Sequence, residues 1–270
     1  MKNGELKNQY KKIEGIKIRL ERIKKSFFQN GKPIPVLHEI SLTAKEGELI
    51  SVIGPSGCGK TTLFNIVAGI IPPDDGCIFI DGKNVRSGRG FVAYMQQKDL
   101  LFPWRKVIDN VLLGPELMHE PLKEAREEAL KLLSKFGLSG FEFSYPCTLS
   151  GGMRQRVALV RTLLFKKDIL LLDEPFGALD AMTRSVMQNY LLSVWQEYRK
   201  TILLITHDVE EALLLSTRIY VLTARPAKVK KIVMVPLSYP RDVTDKGLIS
   251  FKKEILSLVR EEMEKVFYER

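Results

Sequence analysis

Gly54-Pro55-Ser56-Gly57-Cys58-Gly59-Lys60-Thr61-Thr62 follows the apolar run Leu49–Ile53 and leads directly into Leu63-Phe64-Asn65-Ile66-Val67-Ala68. That order reads as strand, glycine-rich turn, helix, and the spacing Gly-x-x-x-x-Gly-Lys-Thr fits a phosphate-cradling loop at a helix start. Each residue type has a reason. Glycines let backbone N–H groups curl around phosphate oxygens, a lysine neutralises the outer phosphates, and a hydroxyl ligates magnesium. Lys60 and Thr61 fill the last two roles, and Cys58 is a small spacer. An α/β fold with a parallel sheet follows from such a unit.

The rest of the chain is compatible with that reading. Its 270 residues are 45% hydrophobic and 27% charged, ordinary values for a chain that builds a core. No apolar run approaches the roughly 18–20 residues that cross a bilayer as a helix. The first residues lack the apolar stretch of a secretory signal, so the expectation is a cytoplasmic protein. The three cysteines, Cys58, Cys77 and Cys147, match neither a disulfide framework nor paired zinc ligands and are expected to be reduced. The net charge of +10 would suit nucleic acid or an anionic membrane face, and a solvated basic surface accounts for it equally well.

Along the chain, residues 1–15 are Lys-rich without a period and read as a flexible tail. Short β-type segments alternate with turns from Ile16 to Val85. Leu122, Ala125, Ala129, Leu132, Leu133 and Phe136 then recur at helical spacing, with Pro121 suited to the first turn and Gly137 to the cap. The helical region is expected over about 98–160. Ile169-Leu170-Leu171-Leu172 and Thr201–Ile205 look like buried parallel strands, separated by a long helix. Asp208 followed by Glu211 is a capping-box pattern. The stretch 226–270 reads as an extension, with Pro226, Pro236 and Pro240 ahead of an amphipathic helix over about 248–267.

The run 169–172 ends in Asp173-Glu174-Pro175. Acids at the end of a buried strand need a partner. In a phosphate-loop fold that end faces the nucleotide, so Asp173 is expected in the magnesium shell and Glu174 beside the attacking water.

These segments alone do not separate one nucleotidase class from another, whereas Leu149-Ser150-Gly151-Gly152-Met153-Arg154-Gln155-Arg156 does. The string resembles the signature of ATP-binding-cassette (ABC) proteins. Ser150 and the amides of Gly151 and Gly152 at a helix start form an anion site. The resemblance implies that this site, with Gln155, clamps the γ-phosphate held by an opposite subunit.

Other positions follow from the same resemblance, which runs from Ile16 to about Ala224. Gln97, or its neighbour Gln96, corresponds to the glutamine that senses magnesium and water. His207 corresponds to the switch histidine, and Asp180, after Phe176-Gly177-Ala178-Leu179, to the residue crossing the dimer interface. His38 and His119 match nothing and are expected to be structural. Phe27, or Phe28 beside it, stands where an adenine-stacking aromatic is usual. The implied fold is a P-loop NTPase cassette: a mixed β-sheet core, an antiparallel β subdomain and an α-helical signature subdomain. The implied ligands are ATP and Mg2+. The implied partners are a second copy or a related cassette, transmembrane permease subunits and, indirectly, an extracytoplasmic solute-binding protein, with no nucleic acid. Such a protein sits peripherally on the cytoplasmic face of the membrane.

Leu100-Leu101-Phe102-Pro103-Trp104 and the segment after Asp173 most resemble importers of nitrate, sulfonate, taurine or thiamine precursors. Leu101, Phe102 and Trp104 either receive a short helix of a membrane subunit or pack the helical core. The competing reading is a soluble cassette ATPase acting on nucleic acid or ribosomes.

Overall fold

The computed structural model describes residues 15–268; the flexible tail expected over 1–15 lies, apart from Gly15, outside the described residues. The chain begins with a long hairpin, β1 (Ile16–Gln29) and β2 (Lys32–Lys45). It continues through β3 (Leu49–Ile53), α1 (Lys60–Val67), β4 (Asp75–Ile80), β5 (Lys83–Val85) and β6 (Val92–Met95). Helices α2 (Val107–Val111), α3 (Leu113–Leu117), α4 (Leu122–Lys135) and α5 (Gly151–Leu164) form the helical arm. Strands and helices then alternate: β7 (Ile169–Asp173), α6 (Ala181–Tyr198), β8 (Thr201–Ile205), α7 (Val209–Leu215), β9 (Arg218–Leu222) and β10 (Val229–Met234). Helix α8 (Lys246–Tyr268) closes the described chain.

Two sheets result. One is antiparallel with order β2-β1-β4-β5; the other has order β10-β9-β3-β8-β7-β6, parallel except for β10 against β9. The mixed core sheet and the antiparallel sheet match the expected architecture.

The central strands are buried on every residue and almost wholly apolar because both faces are covered. Ile169 and Leu171 of β7 face the core shared with α1 and the antiparallel sheet, while Leu170 and Leu172 face the helical arm. Leu203 and Ile205 of β8 against Ile202 and Leu204 repeat the alternation. A third core joins α7, β9 and β10 to α8 through Val209, Ala212, Ile219, Val233, Leu248 and Ile255. Residues 226–268 therefore pack onto the main sheet, and β10 extends it.

Local signals explain the helix ends. Gly137 has φ +66°, as a C-terminal glycine after α4 should. Asp208 caps α7 by accepting from the Glu210 and Glu211 amides at 2.9 and 3.3 Å. The capping box is only half realised. Glu211 turns its side chain inward, where it is buried against Gln188 Nε2 at 3.3 Å, and the Asp208 amide donates to Thr206 Oγ1 at 3.0 Å instead. The three cysteines are free thiols. Among the described residues no helix is long and apolar enough to cross a membrane.

Candidate functional site

The phosphate loop leaves β3 and the two acids end β7, while Gln97 follows β6 and His207 follows β8. All four strands run parallel, so their C-terminal ends gather these residues at one edge of the sheet, the usual ligand edge of open α/β folds.

Gly59 has φ +123°, and a Cβ there would lie 2.8 Å from Leu37 and 2.9 Å from Val36, so the loop can pack on β2 only as glycine. The Lys60 ammonium is buried, donates to the carbonyls of Gly54 and Pro55 at 2.8 and 3.0 Å, and has no ion pair among the described residues. A buried cation served by neutral carbonyls is suited to an incoming anion. Cys58 is buried, and burial pushes its thiol up, which keeps it an inert spacer.

Thr61 Oγ1 donates to Asp173 Oδ2 at 2.8 Å. Burial pushes the Asp173 carboxyl above its ordinary range; the Thr61 hydroxyl opposes this and the adjacent Glu174 charge adds to it. Among the described residues no group of three or more His, Cys, Asp and Glu side chains is spaced to hold a metal by itself. Magnesium fits such a site, because it takes one or two protein oxygens and completes its shell with phosphate and water. The Thr61–Asp173 pair supplies those oxygens.

Glu174 has φ +50°, an uncommon conformation that must be held from outside. Its amide donates to Ile205 O at 2.9 Å and its carbonyl accepts from Gln155 Nε2 at 2.7 Å. The carboxylate lies between Gln97 Nε2 at 3.1 Å and His207 Nδ1 at 3.3 Å. Gln97 is thereby brought to Glu174 rather than to the Thr61–Asp173 pair. Of the two glutamines considered, Gln97 makes this contact.

Gln155 lines the same edge as Glu174 and is bonded to the turn after β7. It is buried and spends both ends of its amide on the turn after β7, donating to Glu174 O and accepting from Ala178 N at 2.8 Å. It holds the turn in shape.

Ser150 caps α5, its hydroxyl accepting from Met153 N at 3.2 Å, and with Gly151 it lies exposed. A cleft of about 560 Å³ lies between this helix start and Glu174, lined by Gln97, Asp99, Gly151, Arg154, Glu174 and His207 among others. Asp180 caps α6 through Thr183 N at 3.0 Å, and that bond holds its carboxyl below the ordinary range. Phe27 and Phe28 stand exposed at the end of β1, at 43% and 77%. Of the apolar residues after Gln97, Leu101 is buried in the helical core and Trp104 is 71% exposed, with Phe102 half-buried and stacked on it at 5.1 Å.

Several contributors carried no signal in the sequence. Tyr94 on β6 places its hydroxyl between Asn65 Oδ1 at 3.2 Å and Asp173 Oδ2 at 3.4 Å, and burial, then the Asp173 charge, pushes it up so that it keeps its proton. Arg154 Nε donates to Asp99 Oδ2 at 3.0 Å, and Arg161 donates to the Asp99 and Leu100 carbonyls at 2.7 and 2.9 Å. These bonds tie α5 to the segment after Gln97.

Residues 37–177 match the family described as ABC transporter. The chain is 39% identical over 239 residues to the aliphatic sulfonates import ATP-binding protein SsuB of Bacillus cereus, covering 88% of this chain and 94% of that protein. It is 46% identical over 209 residues to the taurine import ATP-binding protein TauB of Jannaschia sp., covering 77% and 78%. A solved dimeric ATP-binding cassette in a post-hydrolysis state, bound to ADP and Pi, superposes with TM-score 0.74 at 28% identity, covering 82% of this chain and all of that one.

Proposed function

Because this chain belongs to the ABC transporter family, we propose that it is the ATP-hydrolysing subunit of an importer for small organic sulfonates such as taurine, acting as a pair of cassettes attached to membrane-spanning partners. The observation that carries the reading is the meeting of Glu174 with Gln97 and His207 at the strand ends, across an open cleft from the α5 helix start.

When bound, magnesium screens the phosphate charge. Lys60 neutralises the phosphates lying in the loop, and the Thr61 hydroxyl and Asp173 carboxylate are the groups that hold the ion. Glu174 accepts a proton from water, with Gln97 and His207 fixing the direction in which its carboxylate points. Ser150, Gly151 and Gly152 offer amides and a helix N-terminus to the phosphate held by the opposite subunit. The exposure of Ser150 and Gly151 supports a role outside their own chain. Asp180, exposed at the start of α6, reaches toward the opposite subunit, and Phe27 or Phe28 stacks on adenine.

Coupling to the membrane partner is assigned to the aromatic surface of the helical arm, where Trp104 and Phe143 are 71% and 60% exposed. Apolar residues exposed this far suit a short amphipathic helix from a permease. The protein then works peripherally, at the cytoplasmic face. The sulfonate class comes from the printed functions of the similar proteins.

Two experiments test the reading. Glu174→Gln should lower kcat for ATP hydrolysis by about 10²–10⁴-fold, the usual worth of a positioned base, while nucleotide still binds. Purification from solubilised membranes should recover permease subunits with the wild type and lose them with Trp104→Glu. Normal turnover in the first variant, or unchanged recovery in the second, contradicts the corresponding assignment.

A further inference from the structure

We infer that Arg225 is a positioning residue for the phosphate loop, held in place by the C-terminal helix, so that α8 helps set nucleotide affinity from outside the loop. This rests on the reading of residues 54–62 as the nucleotide cradle.

Arg225 Nη2 donates to the carbonyl of Gly57 at 2.8 Å. Gly57 needs such a partner. It has φ +74°, is exposed, and no atom lies within 4 Å of where its Cβ would be, so no packing fixes it. On the other side of the same peptide, Cys58 N donates to Pro55 O at 3.3 Å. The 57–58 peptide is therefore gripped from both directions, the stronger hold being the charge-assisted one.

The support for Arg225 reaches back to α8. Its turn is fastened to β2 by Ala227 N donating to Val36 O at 2.8 Å and by His38 N donating to Ala227 O at 2.9 Å. The preceding amide, Ala224 N, donates to Glu262 Oε2 of α8 at 3.0 Å. Glu262 is buried, and its other oxygen accepts from Lys230 Nζ at 2.9 Å and Lys265 Nζ at 2.7 Å. Burial alone would raise its pKa; the Lys265, Lys230 and Ala224 donors outweigh burial and hold the carboxyl down at about 2. Glu262 thus stays charged throughout the physiological range. Leu248 and Ile255 anchor α8 against α7 and β9.

A loop whose central peptide is already fixed has less conformational freedom to lose when it closes on phosphate. The consequence falls on binding, not on the chemical step, because Arg225 touches neither Glu174 nor its neighbours.

The test is titration of the full chain with a fluorescent ADP analogue and magnesium, alongside kcat and KM for ATP. Wild-type binding is measured first, since its absence would overturn both the cradle reading and this inference. Arg225 is exposed, so Arg225→Ala should melt like the wild type. It should raise Kd by about 3–10-fold, the net worth of one ordinary hydrogen bond, and leave kcat at saturation within about twofold. Arg225→Lys, which keeps one cationic donor, should recover part of the loss. Glu262→Gln should raise Kd less than Arg225→Ala does, and combining the two should cost no more than Arg225→Ala alone. Wild-type binding with an unchanged Kd in Arg225→Ala would overturn the inference and leave the cradle intact. Fully additive losses in the double variant would overturn the route through α8.

Discussion

The strand-end half of the site and the α5 helix start are built in opposite ways. At the strand ends each reacting group is held by others of the same chain: Asp173 by Thr61 and Tyr94, Glu174 by Gln97, His207 and Gln155. At the helix start Ser150 is satisfied by its own cap, and Gly151 opens onto the cleft. One half is a completed frame and the other an offered surface. The difference fits the proposed division of labour, in which folding prepares the hydrolytic groups within one subunit and phosphate enclosure waits for an encounter between subunits.

Substitutions in the frame should hurt most. Lys60→Ala removes the buried cation and should abolish measurable nucleotide binding, a loss of about 10²-fold or more for a desolvated charge partner; isothermal titration checks it. A variant that still bound ATP normally would break the comparison at its firmest point. On the offered surface, Ser150→Arg should spare nucleotide binding by an isolated subunit while lowering turnover about 10²-fold, as removal of phosphate-facing donors does. Equal loss of binding and turnover there would mean that both halves serve the same chain's nucleotide.

The join between the halves should show a smaller effect. Arg154→Ala cuts the bond from α5 to Asp99, leaving Arg161 to hold the same segment, so turnover should fall about 3–10-fold with nucleotide affinity unchanged. Steady-state kinetics beside equilibrium binding separates the two quantities.

A further effect falls on stability and leaves the chemistry of the site alone. Burial first, then the Asp208 charge, push Glu211 from 4.5 to about 7. A carboxyl whose folded pKa lies above its unfolded value stabilises the fold while protonated, and that contribution drains away as pH rises from about 4.5 toward 7. Wild-type stability should therefore fall across that window relative to Glu211→Gln, by a few kcal/mol at most. Denaturant melts at pH 5 and about pH 8 read the difference. Parallel profiles for the two proteins would show that Glu211 is charged in the fold.

Much of this frame was legible before any coordinates. Four apolar residues ending in paired acids announce a buried strand with its chemistry at the tip, and the glycine spacing of 54–62 announces the loop beside it. What stayed hidden joins distant residues through side-chain bonds to backbone. Asn110, fully buried, accepts from Phe102 N at 2.7 Å and donates to the Phe102, Arg105 and Lys106 carbonyls, stapling the segment that presents Trp104. An asparagine inside a helical stretch carries no spacing that would reveal such a task. Gln155 hid a task for a related reason: its place in the signature string pointed to a ligand contact and gave no sign that its amide also braces the Glu174 turn. Leu101 and Trp104 are equally apolar neighbours in sequence, and packing alone decides which of them faces solvent.

The central claim, a reaction centre divided between two subunits, is tested most directly by hydrolysis in two defined mixed dimers. One pairs Glu174→Gln with Ser150→Arg on separate subunits; the other pairs wild type with a subunit carrying both changes. The account predicts turnover in the first, where one intact catalytic edge meets one intact helix start, and none in the second. Activity in the second and none in the first would contradict it.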